Sequence, residues 1–193
     1  MQRAKTPGLI HAPGLILTVV IGFLVAIPEA SARKFEEYEI KAAFLYSFAQ
    51  FIKRVPKNPG GPTSTSNYCT VHEGPVENAL KALIASRQTE GQTRRYTLLA
   101  DWSDIEQCHF LFQGADSEKS EPIQLGPDES VITVGDSPGF AANGGMIEFQ
   151  RQGAHVKVHV NLETARAHGI KISSKLLKLA TIHSPGNREN FDD

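Results

Sequence analysis

Late in the chain the apolar and polar residues alternate. Ile147 and Phe149 are interleaved with Glu148 and Gln150, and Val156, Val158 and Val160 with His155, Lys157 and His159. A period of two sends neighbouring side chains to opposite faces, so this segment reads as a β-hairpin turning at Gln152-Gly153, one face packed and the other wet. A longer period governs residues 36–55, where Ile40, Phe44, Phe48, Phe51, Ile52 and Val55 recur at three- and four-residue spacing beside Ala43 and Leu45. That spacing predicts a helix whose aromatic stripe is core. Glu36, Glu37 and Glu39 in its first turn and Lys53 and Arg54 in its last suit the helix dipole, and Pro56 ends it.

Shorter patterns fill the interval. Residues 57–67 and 88–93 are polar loops, the first rich in Pro, Gly, Ser and Thr. Strands are expected at 68–72, 96–100, 109–112 and 131–134, a helix at 76–85 with Leu80 and Ile84 on one face, and a helical turn at 101–106 capped by Asp101 or Ser103. A short helix is expected at 120–125, and another at Pro138, capped by Asp136 or Ser137 and broken by Gly144 and Gly145. After the hairpin, Asn161 caps a helix at 162–168 that Gly169 closes, and Ser173 or Ser174 starts a last one carrying Leu176, Leu177 and Ala180. Alternating strands and helices predict an α/β fold: a single-domain sandwich with a mostly parallel, mixed sheet flanked by helices, finished by the C-terminal hairpin and helices.

The first 32 residues change that picture. Arg3 and Lys5 precede an uncharged, mostly apolar run at 14–27, and Ala30-Ser31-Ala32 offers a small-residue cleavage site. Residues 1–32 therefore read as a cleaved export signal, with an uncleaved membrane anchor as the other reading, although a span needs roughly 20 apolar residues. Residues 33–184 form the domain and 185–193 a flexible tail. Removing the leader moves the formal charge from −1 to about −2, with no Lys/Arg stripe, which argues against nucleic acid as a partner. Two cysteines remain, Cys69 and Cys108. In an exported chain an even count reads as a disulfide, a pair of buried thiols being the other reading.

The ordered set Val134-Gly-Asp, Gly139-Phe, Gly144-Gly-Met-Ile-Glu-Phe, Val160-Asn-Leu and Ile172-Ser-Ser-Lys-Leu-Leu-Lys-Leu-Ala resembles the YfiR/HmsC-like family of small periplasmic proteins. So does the helix Ile40-Lys-Ala-Ala-Phe-Leu-Tyr-Ser-Phe. The resemblance implies a repressor of a membrane-bound diguanylate cyclase, which would bind the cyclase's periplasmic sensor domain and lower cyclic-di-GMP and biofilm formation. It further implies release by envelope stress or by an outer-membrane lipoprotein of the YfiB type, and a homodimer. A cysteine pair at the places of Cys69 and Cys108 is part of that family pattern. Some relatives carry a second pair near the Gly-Gly-Met segment, and this chain has none there.

Candidate chemistry is sparse. The chain has seven histidines, but His155 and His159 on a strand stand about 13 Å apart, beyond one ion's reach. His72, His109, His168 and His183 are isolated in sequence. Neither a Gly-x-Ser-x-Gly elbow, a phosphate loop nor a His-Glu-x-x-His is present. Cys108-His109, adjacent on a strand, point to opposite faces and form no dyad. No catalytic residue, cofactor or metal is expected. Glu163, Arg166, Ile170 and Lys171, around the Gly169 break, make a mixed patch suited to protein contact, with an ordinary solvated helix face and Ile170 tucked inward as the plainer reading. A periplasmic small-ligand sensor with a pocket at the strand ends near Gly135-Asp136 is the alternative to the cyclase repressor.

Overall fold

β-branched and aromatic residues bounded by Gly, Pro and Asn produce strands here, and apolar residues at helical spacing produce the helices between them. A computed structural model describes residues 29–54, 65–87, 93–115, 123, 125–126 and 129–183, with 29–36 and 102 described in backbone only. The chain runs through α1 (Glu29–Phe48), β1 (Ile52–Arg54), β2 (Thr65–Thr70), α2 (Pro75–Ser86) and β3 (Thr93–Leu98). A 3-10 turn (Trp102–Gln107), β4 (Phe110–Gln113), β5 (Ile132–Gly135), β6 (Ile147–Gln152) and β7 (His155–Asn161) follow. It ends with α3 (Leu162–Ala167), β8 (Ile170–Ile172), α4 (Ser174–Leu177) and β9 (Thr181–His183).

Among the described residues seven strands pair in the order β3-β2-β4-β5-β6-β7-β9, and β1 pairs with β8 in a separate two-stranded ribbon. The pairs from β3 to β6 are parallel, β6 and β7 are antiparallel, and β9 is parallel to β7. The mostly parallel, mixed sheet with flanking helices is therefore the predicted fold class. Because side chains alternate, the central strands feed two cores. Tyr68, Phe110, Phe112, Ile132 and Val134 join Leu45 and Phe48 of α1 and Leu80 and Ile84 of α2. On the opposite face Cys69, Leu111 and Val131 pack with Leu99, Ile105 and Cys108.

Several elements differ from expectation. The helix predicted over 36–55 ends at Phe48, because Ile52–Arg54 is drawn into antiparallel pairing with Ile170–Ile172. Its aromatic stripe is core as expected, with Phe48 and Ile52 buried and Phe44 and Phe51 packed against them, but the inner face also takes in Lys41, Ala42, Leu45 and Tyr46, and Ile40 is 38% exposed. No helix forms at Pro138. Residues 138–144 are turns, with Gly139 at φ 79° and Gly144 at φ 100°. Glu148, placed by alternation on the wet face of the hairpin, is 2% exposed. Its carboxylate accepts from the backbone N–H of Gly139 and of Ala141 and from the Gln150 side-chain amide. The hairpin pairs through Gln152 opposite His155, so its turn is Gly153-Ala154, one residue later than predicted. Asn161 caps α3 by accepting from Thr164 N–H, and Gly169 takes φ 68° at its end. α4 stops at Leu177, leaving Ala180 outside it, and β9 follows unannounced. Residues 1–28 and 184–193 lie outside the described residues, as does most of the segment expected as a helix at 120–125. The last four residues of the expected leader are already helical backbone of α1.

Candidate functional site

The chain leaves β2 through α2 to place β3 on one side, then returns to place β4 on the other, so the strand order reverses at β2. In open parallel sheets the crevice outside the strand C-termini at such a reversal is where ligands sit. A cleft of about 230 Å³ lies there, walled by Tyr38 of α1, residues 72–77, Gly114, Ala115 and Asp136. This is the strand-end position singled out by Gly135-Asp136 in the sequence.

Asp136 ties the cleft together. One carboxylate oxygen accepts from Lys41 Nζ at 2.8 Å and the other from the backbone N–H of Ala115. Lys41 also meets Glu37 at 2.8 Å, and Arg151 approaches Glu37 at 3.5 Å. The Lys41 and Asp136 side chains are each 7% exposed. Burial alone would lower the Lys41 pKa, but hydrogen bonds and charge from Asp136 and Glu37 more than offset it and hold the ammonium above its ordinary range. Glu77, in the first turn of α2, is buried. Its carboxylate closes over two glycines: an added Cβ would come within 2.6 Å of it at Gly74 and 3.1 Å at Gly114. Lys41 and Glu77 were passed over by sequence reasoning, which weighed His72 only as a histidine isolated in sequence. The available signal was Glu37 and Lys41 at i,i+4 with the lysine inside the apolar face.

The predicted surface residues are only partly brought together. Glu163 and Arg166 on α3 and Lys171 on β8 are exposed, but Ile170 is 3% exposed and pairs with Arg54. The patch is thus charged without its apolar member, because the β1–β8 ribbon turns Ile170 into the core.

Cys69 and Cys108 are joined in a disulfide with Cα atoms 5.7 Å apart, and both are fully buried. Nearby, the Arg54 guanidinium donates to the carbonyls of Cys108 and Ser130 at 3.4 and 3.5 Å. His109 Nδ1 accepts from the Asn67 N–H at 3.2 Å, so the ring is held neutral. Burial first, and then the Arg54 charge, push its pKa down to about 4. His155 is exposed and His159 half-buried on β7. Among the described residues no cluster of three or more His, Cys, Asp or Glu could hold a metal ion, and no helix is long and apolar enough to cross a membrane.

Among curated proteins none matches the chain. Similar solved structures include a conserved domain protein from Vibrio cholerae O1 biovar eltor str. N16961, at 9% identity and a TM-score of 0.47. Another is an ABC domain in complex with L-Trp from Streptococcus pneumonia, at 10% identity and a TM-score of 0.42. In both cases the likeness covers 76% of this chain and 60% of the other. A family model described as YfiR/HmsC-like matches residues 38–181, from α1 to the first residue of β9.

Proposed function

The chain belongs to the YfiR/HmsC-like family, and from that premise we propose that it is a periplasmic regulator that performs no chemistry of its own. It binds the periplasmic sensor domain of an inner-membrane diguanylate cyclase and holds it inactive, lowering cyclic-di-GMP and restraining biofilm formation. The observation that carries this reading is the extent of the family match. It takes in β2 to β7 whole, the first residue of β9 and the C-terminal part of α1 with all of α2, not one local motif.

Repression by binding alone requires preference for the cyclase's inactive state, because equal affinity for both states would shift nothing. The charged surface of Glu163, Arg166 and Lys171 is the contact assigned to that partner. An outer-membrane lipoprotein of the YfiB type would compete for the repressor, and a homodimer is its expected form. Export through residues 1–32 fits the buried disulfide, since such bonds persist in oxidising compartments.

The test is deletion of the gene with cyclic-di-GMP measured directly, together with co-purification of the tagged protein from solubilised membranes. Raised cyclic-di-GMP and a co-purifying cyclase are expected. Unchanged cyclic-di-GMP with no cyclase recovered would reject the proposal.

A further inference from the structure

The outward face of the β1–β8 ribbon carries charge of one sign. Neither residues 40–72, which supply β1, nor residues 164–188, which supply β8 and α4, contain an Asp or Glu. Pairing then sets Lys53 directly opposite Lys171. Cross-strand partners share a face, so like charges placed this way work against the fold. Both lysines are exposed, and among the described residues neither has an ion-pair partner. Their strand neighbours Ile52 and Ile170 are buried. The ribbon runs directly into α4, because Ser173, its cap, donates its backbone N–H to Phe51 O at 2.8 Å. Lys175 is four residues beyond Lys171, hence within about 14 Å of it by chain length alone.

A second observation is apolar. Leu179, at 79%, is the most exposed large hydrophobic side chain among the described residues. The last turn of α4 carries on through it, with the Leu179 N–H bonded to Leu176 O. Lys175, Lys178 and Leu179 therefore fall at i, i+3 and i+4 on one exposed face, while Leu176 turns inward and is buried. A protruding leucine flanked by lysines suits lipid better than protein, because interfaces between proteins are depleted in lysine. A second copy related by a two-fold axis would set this face against itself, lysine toward lysine. An anionic bilayer instead receives the ammonium groups among its headgroups while the leucine enters the acyl boundary and the lysine stems lie along the surface. The chain as a whole is formally −1, so attraction to a negative surface has to come from this local excess.

We propose that the β1–β8 ribbon and α4 form a docking face for an anionic phospholipid bilayer, with Lys53, Lys171, Lys175 and Lys178 at the headgroup phosphates and Leu179 inserted at the interface. Glu163, exposed on the neighbouring α3, is the acidic residue this orientation has to keep clear of the headgroups. The inference needs no cyclase, although a repressor lying on the bilayer would be kept within reach of one. Lys171 is shared with the contact assigned to the cyclase, so the test below uses α4 and leaves that contact intact.

The purified protein is sedimented with vesicles of mixed phosphatidylglycerol and phosphatidylcholine, and with vesicles of phosphatidylcholine alone, at low and high salt. Binding to the phosphatidylglycerol vesicles only, released by high salt, is expected. Lys175→Glu combined with Lys178→Glu should lower the partition coefficient at least about tenfold, since each basic charge near such a surface contributes roughly fivefold. Leu179→Ser should lower it by about threefold to tenfold. Arg87→Glu combined with Arg95→Glu, exposed on α2 and β3, makes the same change in net charge and should lower it far less. All three variants should melt within a few degrees of the wild-type protein. The proposal is overturned if no vesicle binds, if phosphatidylcholine alone binds as well, if the two double reversals bind alike, or if either α4 variant binds as the wild type does. Polyglutamate bound in place of the anionic vesicles would give the face to an acidic protein and overturn it equally.

Discussion

Phe140 sits where only glycine neighbours leave room. A β-carbon at Gly135 would lie 2.5 Å from its ring and one at Gly145 2.1 Å, so two glycines of the Val-Gly-Asp and Gly-Gly-Met segments exist to seat one aromatic side chain. Gly145→Ala is expected to cost about 1–3 kcal/mol by overpacking, read as a lower urea midpoint. Gly153→Ala, which meets no atom within 4 Å but sits at φ 61°, should cost only the backbone strain of about 1–2 kcal/mol. His109 offers a second test at this scale. The unfolded ring titrates near 6.5, whereas the folded ring, depressed by burial and by Arg54, titrates at about 4. Between those values the unfolded chain takes up a proton that the folded chain refuses, so stability present above pH 6.5 is lost as pH falls toward 4. Urea midpoints followed from pH 7 to pH 4 should fall more steeply in the wild type than in His109→Gln. Equal slopes would contradict the assignment. The glycines were legible as motif residues, but their purpose was not, since sequence spacing gives no view of which ring approaches which backbone.

At the scale of elements, Lys41 shows why the inner face of α1 is wider than its apolar stripe. A lysine between Ile40 and Ala42 looks like the edge of the apolar stripe, and it is inside only because Glu37 and Asp136 receive it. That partner lies 95 residues away, on the turn after β5, so no local period could reveal it. Removing one member of a buried ion pair leaves the other charge unmatched. Lys41→Met should therefore cost about 3–5 kcal/mol, and adding Asp136→Asn should recover part of that loss in the same urea titration. A double variant no more stable than the single one would show that the two groups are uncoupled. The same limit accounts for β1 and β8. Ile52–Arg54 and Ile170–Ile172 are three-residue strands, too short to show alternation, and they exist because they pair with each other. The hairpin and the capped α3 were legible because their signals are local: a period of two, Asn161 and Gly169. The disulfide was legible from the cysteine count together with the expected export. It closes a 39-residue separation, for which the chain-entropy model gives roughly 4 kcal/mol. Reductant under unfolding conditions should lower the melting temperature by several degrees, while burial of both sulfurs should keep the folded protein slow to react with a thiol reagent.

For the molecule as a whole, the proposed regulation requires that a body with so little recognisable chemistry act on a partner. The sequence grouped Glu163, Arg166, Ile170 and Lys171 because they are close along the chain, and the β1–β8 ribbon then separates them by turning Ile170 inward. That separation makes the binding surface testable without confusing it with the core. Ile170→Ala removes buried methyl groups and should cost about 2–5 kcal/mol, so any loss of repression there would follow the loss of folded protein. Arg166→Glu and Lys171→Glu change only exposed charges and should move stability by no more than about 0.5 kcal/mol. If these charges steer and orient the repressor on the cyclase, the double reversal should weaken co-purification and raise cyclic-di-GMP toward the deletion level while the melting temperature holds. High salt should weaken wild-type binding in the same direction, since exposed charges are screened within about 10 Å at 0.1 M. A double reversal that represses as the wild type does would move the contact surface off α3 and β8.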